Sequence, residues 1–291
     1  MAGKGKQILM DPVRPSAAIR VRLQKELLKR WKWLRGKSYE IIDLYRKYRE
    51  LKTAADQMDR EKKKAFSDAP SDVYIKLDKM MKQVQNRLKD IRNEYNKIFP
   101  EKKDKDLAEE FLQWCFQDVK NRNEIDLKKA AKDFTVHVQM TARKKALLQA
   151  ASHEAAGLIK NIGTRAQLEL EGAVNRCFME GRNIGELTEA LEKVLHTTRR
   201  RAINLAFDQT NKVSNSIDRQ VKLDLGLNKA IWRHSHAHVR TKPRADHVAA
   251  DGREYDLNRG CLISGEYIQV GQLPFCGCYS QAVLTLPEVK S

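Results

Sequence analysis

Cysteine, proline and aromatic residues are scarce in this 291-residue chain, with five Cys, seven Pro and 7% Phe, Trp and Tyr. An odd number of thiols, spread over Cys115, Cys177, Cys261, Cys276 and Cys278, excludes a disulfide framework and leaves reduced thiols or a metal site. Long apolar runs are missing too. The amino terminus, MAGKGKQILMDPVRP, has only a three-residue apolar stretch before Asp11 and Pro12, so no signal peptide is expected. The longest uncharged stretch, Tyr267 to Pro287, contains Gly271, Pro274, Gly277 and several polar groups, which disqualifies it as a membrane anchor. Acidic residues are the last deficit, 38 against 56 Lys and Arg, for a net charge of +18. What is present, 32% charged and 41% hydrophobic residues, suits a folded chain of about two domains rather than a disordered tail.

A surplus of this size predicts a polyanionic partner, because Lys and Arg release the counterions condensed on phosphates. It is also concentrated. Met1 to Ala65 holds 19 Lys and Arg against 8 Asp and Glu. A solvated face needs charge but not charge of one sign, so nucleic acid is the expected partner. The candidate contacts are Lys25, Lys29, Arg30, Lys32, Arg35, Lys37, Arg46, Lys47, Lys62, Lys63 and Lys64. Trp31, Trp33 and Tyr39 could stack on bases, but their helical spacing reads as core.

Periodicity gives that basic segment a shape. Leu23, Leu27, Leu34, Ile41, Leu44, Tyr48 and Leu51 fall on one face of a helix, which Gly36 could bend. Leu77, Met81, Val84, Leu88, Ile91, Tyr95 and Ile98 alternate spacings of four and three, the pattern of a coiled-coil seam, with Ser71 as a cap and Pro100 as a stop. With the turn-like AFSDAPSD between them, residues 1–100 read as a basic antiparallel helical hairpin. After a charged linker, EKKDKD, residues 101–226 read as a helical body almost free of proline. Two of its helices are expected to begin near Asn183, boxed by Glu186, and near Thr198, the second ending at Gly226. Neighbouring Ser152, His153 and Glu154 cannot form a relay on one helix and are not read as catalytic.

Residues 227–291 change texture. Short β-prone pieces, AIW, EYIQV and AVLTL, accompany His234, His236, His238 and His247, then Cys261, Cys276 and Cys278. Imidazole and thiolate are the ligands zinc prefers, and four make a tetrahedral site. The expected ligands are His234, His247, Cys276 and Cys278, with Cys261 or His236 as the alternative fourth. A module this small gains folding energy from an ion, so the site reads as structural. The fold class expected is therefore mainly α, with a small carboxy-terminal α+β module held by a metal. A metal-dependent nuclease is the alternative, since Asp246-His247 with Asp251-Gly252 is similar to the start of an HNH-type metal finger. That motif needs a further downstream histidine, and none follows His247.

Taken in order, Trp232, Pro243-Arg244, His247, Asp251-Gly252, Tyr255-Asp256-Leu257, Gly260, Gly265, Gly271 and Cys276-Gly277-Cys278 resemble the Mu F-like head morphogenesis domain of tailed bacteriophages. The upstream segments LIKNIGTRAQ, GRNIGELTEAL and RRRAINLAFDQTNKVSNSI are similar to its helical part, and the resemblance covers about residues 150–286. Two positions depart from the family pattern, Gly277 where Arg is usual and Val270 where Pro is usual. The resemblance implies a minor head protein without enzymatic turnover, located in the virion and in the host cytoplasm during assembly. It implies as partners the portal protein, a major capsid or scaffold protein, and packaged double-stranded DNA, which the basic hairpin would touch. A plain DNA-binding module is the simpler alternative.

Overall fold

The computed structural model describes residues 7–65, 71–130, 137–235 and 242–285. The chain is mainly α, with a small carboxy-terminal strand region. A short strand, β1 (Gln7–Leu9), precedes five long helices: α1 (Ala17–Ala65), α2 (Ser71–Ile98), α3 (Glu101–Ala130), α4 (Ala142–Met179) and α5 (Ile184–Asp224). The module follows as β2 (Lys229–Arg233), α6 (Ala245–Ala249), β3 (Glu254–Asp256), β4 (Cys261–Ile263), β5 (Glu266–Ile268) and β6 (Tyr279–Thr285). No described helix is long and apolar enough to cross a membrane.

Two compact units are formed, and neither is continuous in sequence. One comprises residues 1–25, 105–156 and 204–291; the other comprises 26–104 and 157–203. The sequence reading cut the chain linearly at 100 and 226, whereas α1, α3, α4 and α5 each contribute residues to both units. Long helices cause this, because one helix can bury different stretches in different cores.

In the unit of residues 26–104 and 157–203, α1 and α2 form the expected hairpin. Tyr74 bonds to Asp59, Arg87 to Glu40, and Trp33 packs edge-on against Tyr95 at 5.7 Å, pairs that run in opposite sequence directions. The seam residues Val84, Leu88, Ile91 and Tyr95 are buried against Leu34, Ile41 and Tyr45 of α1 and Ala166, Leu170 and Val174 of α4. That seam therefore pairs within the chain. Most of the AFSDAPSD turn lies outside the described residues, and the side chains of Lys62, Lys63 and Lys64 do as well.

Several boundaries differ from the sequence reading. EKKDKD is the first turn of α3, where Glu101 and Asp104 suit the positive helix end and Lys103 N–H reaches Pro100 O at 2.9 Å. Thr198 does not open a helix. Its hydroxyl donates to Val194 O at 2.8 Å inside the continuous α5, since no Gly or Pro follows Gly185 in the run. Gly36 leaves α1 unbroken. The Asn183 and Glu186 box is formed as expected: Glu186 N–H meets Asn183 Oδ1 at 3.0 Å and Asn183 N–H meets Glu186 Oε2 at 2.7 Å. Gly226 ends α5 with a left-handed φ of 75°.

In the other unit, a four-stranded antiparallel sheet has the order β1-β6-β2-β3 and a hairpin pairs β4 with β5. Three apolar residues were too short a signal to reveal β1, which pairs Gln7–Leu9 with Thr285–Val283. The module's core gathers Trp232, Tyr255, Leu257, Cys261, Ile263, Ile268, Val270, Cys276 and Cys278.

Candidate metal centre

Three elements bring one imidazole and two thiols together. Arg244 precedes the short α6, and its guanidinium donates to Pro274 O at 2.9 Å, tying the helix start to the cysteine loop. His247, on α6, is buried and turns Nδ1 toward Cys276 Sγ at 3.5 Å and Cys278 Sγ at 3.7 Å. The ligand atoms of His247, Cys276 and Cys278 all lie within 4.8 Å of one another. This cluster can hold a metal ion. Trp232, fully buried on β2, packs edge-on against the His247 ring at 5.2 Å and keeps water away from it.

The backbone of the cysteine loop is held from α5 by a polar stripe. Asp208 Oδ1 accepts the Phe275 N–H at 2.7 Å, Asn211 Nδ2 donates to Cys276 O at 3.2 Å, and Asn215 Nδ2 donates to Cys278 O at 3.2 Å. Spacings of three and four put these side chains on one helical face. Two close approaches shape the loop further. Gly271 has φ 73°, and a Cβ there would sit 2.8 Å from Asn215 Nδ2. A Cβ on Gly277 would sit 2.8 Å from Ser235 Oγ, so a side chain there would displace that hydroxyl.

Charge is uneven between the two sulfurs. The Cys276 thiol is pulled well below its ordinary value, first by the hydrogen bond from Cys278 and then, against the opposing effect of burial, by His247 and the backbone of Cys278 and Gly271. Cys278 is pushed up by that same contact and by burial. The two thiols share one contact and titrate as a pair, the first proton leaving more readily than the second. Cys261 lies in the same core, but burial pushes its thiol up and it is not part of the three-residue group. His234 is also buried outside that group, its N–H donating to Asp251 Oδ1 at 3.0 Å. His236 lies outside the described residues.

A second buried polar centre lies beneath the sheet. Lys222 and Asp218 of α5 pair with side chains 1% exposed. Lys222 Nζ also donates to Ser280 Oγ at 2.9 Å, and Asn123 Nδ2 donates to Asp218 Oδ1 at 3.0 Å. Sequence reading missed this network and the Asp208, Asn211, Asn215 stripe, although polar residues recurring at 208, 211, 215, 218 and 222 in one helix were a signal for a buried polar face.

The basic candidates separate by exposure. Lys25, Lys29, Lys32, Arg35, Arg46 and Lys47 are exposed on α1, Lys29 pairing with Glu26 and Arg46 with Asp43. Lys37 is half-buried between Glu40 and Glu94. Arg30 is a correction: it pairs with Asp104, the two side chains 4% and 5% exposed, and its guanidinium lies 5.0 Å from the Phe99 ring. It sits on the apolar face of α1, three residues after Leu27 and four before Leu34, so it is a structural cation and cannot reach a phosphate. No family model, curated protein or solved structure matches the chain.

Proposed function

We propose that the chain is a minor head protein of tailed bacteriophages, a virion component at the portal vertex. It would assist head assembly and the packaging, retention or delivery of double-stranded DNA. One observation carries the reading: Trp232, Tyr255, Leu257, Cys276 and Cys278 of the resemblance share one small core, and His247 joins the two cysteines in a His/Cys/Cys cluster. Trp232 shields His247, Arg244 ties α6 to the cysteine loop, and Cys276 and Cys278 face the imidazole. These five resembled positions thus have a physical task in this module. The portal and a major capsid or scaffold protein are the proposed protein partners, and the exposed lysines and arginines of α1 are the proposed contacts to DNA or the inner capsid.

Zinc is the ion we assign to the cluster. A tetrahedral ion with Zn–N of about 2.0 Å and Zn–S of about 2.3 Å separates nitrogen from sulfur by about 3.5 Å, and the two such distances here are 3.5 and 3.7 Å. His247 would bind through Nδ1, and Cys276 and Cys278 would bind as thiolates. Metal analysis of purified protein should find about one zinc per chain, and chelation should lower the melting temperature of the carboxy-terminal module. His247→Ala and Cys278→Ala should lose the metal, while His234→Ala and His236→Ala identify which histidine completes the site. The assembly reading is tested by capture of the portal protein from a phage-infected lysate. Protein free of zinc, melting identically with chelator, would remove the metal; intact protein that fails to hold portal would remove the assembly role.

A further inference from the structure

Where α1 and α5 meet in the unit of residues 26–104 and 157–203, they leave a cleft of about 210 Å³. Its walls are largely apolar, with Ile42 and Leu191 buried and Trp31 partly buried. Its rim is not. Arg35 and Arg199 lie 5.5 and 5.7 Å from the Trp31 ring centre, and Tyr39 and His196 are exposed beside them. The Trp31 ring forms part of the wall, while its Nε1 is sealed beneath the surface and offers no donor to the cleft.

These features ask for one kind of guest: a flat ring attached to an anion. The rings of a nucleobase suit the apolar walls and the exposed Tyr39 face, and a phosphate meets two guanidiniums. Glu192 on the same rim can accept from an exocyclic amine. The volume admits one base and excludes a duplex. We propose that the α1/α5 cleft binds one unstacked nucleotide of a nucleic-acid strand, with its phosphate held by Arg35 and Arg199. The proposal rests on the nucleic-acid part of the function proposed above. It adds a site for single-stranded segments or strand ends that shares Arg35 with the exposed face of α1 and takes Arg199 from α5.

The test measures binding of the full chain to a fluorescein-labelled 12-nucleotide single strand and to a blunt 12-base-pair duplex. Tyr39→Ala and Arg199→Gln change exposed side chains, and thermal melts verify that both variants fold. Each should weaken single-strand binding about tenfold, the loss of one stacking or charge-assisted contact, while duplex binding changes less than twofold. Trp31→Phe should also remove part of the tryptophan quenching that the single strand causes. Equal losses for both ligands, no loss for either, or wild-type protein that binds duplex but not single strand would each overturn the cleft while leaving the α1 face standing. Wild-type protein that binds neither would overturn the cleft and the DNA reading together. Single-strand binding with the expected losses but no duplex binding would keep the cleft and remove duplex DNA as the partner.

Discussion

At the scale of single residues, partner charge decides what a buried ionisable group does. Asp224, at the end of α5, accepts from Lys144 at 2.8 Å, from Thr141 at 3.1 Å and from Gln220 at 2.6 Å. Burial acts to raise this carboxyl, yet those hydrogen bonds and the Lys144 charge hold it below its ordinary 3.8. A carboxyl depressed by folding stabilises the protein above its unfolded value, and the contribution disappears as pH falls through the lower folded value. The Lys144 side chain is only 3% exposed, so Asp224→Asn leaves a buried ammonium without a counter-charge. We expect a cost of about 2 kcal/mol at pH 7. That cost should shrink as pH falls below about 4, where the carboxyl of the unfolded chain takes up a proton, and disappear once pH has passed the lower folded value. Urea unfolding of both proteins at pH 7 and pH 3 reads the difference; a gap of equal size at both would remove the ion pair as its source. Asp104 behaves oppositely, because burial outweighs Arg30 and the carboxyl is raised.

At the scale of elements, close packing can reverse a propensity rule. Gly163 lies inside α4, where replacement by alanine normally favours a helix by about 1 kcal/mol. A Cβ at Gly163 would overlap the Tyr95 ring, at 1.9 Å from its Oη and 2.2 Å from its Cζ. Tyr95 has little freedom to retreat, since it is buried and packs against Trp33 at 5.7 Å and Phe99 at 4.9 Å. Overpacking of this kind costs about 1–3 kcal/mol and more where aromatic rings must shift, so Gly163→Ala should lower the melting temperature despite the helical gain. Tyr95→Leu in the same chain should recover part of the loss; a Gly163→Ala protein as stable as wild type would show that the ring moves freely. Sequence revealed the helices but not this contact. Most of the seam from Leu77 to Ile98, in which Met81 and Ile98 are exposed rather than packed, the Asn183 box and the stop at Gly226 were legible because each depends on residues within one or two turns. At the candidate site, residue types announced His247, Cys276 and Cys278, and the resemblance put them in order. Asp208, Asn211 and Asn215 stayed hidden because what they hold lies more than sixty residues away, and Arg30 was misread because a cation on an apolar face is explained only by Asp104, seventy-four residues on.

At the scale of the whole molecule, the positive charge belongs to both units. The first 65 residues divide between them, with six Lys and Arg against one acidic residue in residues 1–25 and thirteen against seven in residues 26–65. Over the full chain one unit holds 26 basic and 18 acidic residues, the other 30 and 20. Deleting the basic segment therefore cannot isolate its role in binding. It would remove Met10, Val13 and Leu23 from one interior and Leu34, Ile41 and Tyr45 from the other, and any lost binding would report unfolding. Charge reversal on the exposed face avoids this, because Lys25, Lys32 and Lys47 contribute to neither core. If α1 meets duplex DNA through its phosphates, each contact releases about 0.9 counterion, so the triple change to Glu should flatten the slope of log affinity against log salt by about 2–3. Surface exchanges of this kind alter stability by no more than about 0.5 kcal/mol, so the melting curve should stay where it is. Duplex titrations at several salt concentrations decide the matter: an unchanged slope in a folded variant would move the DNA contact off α1.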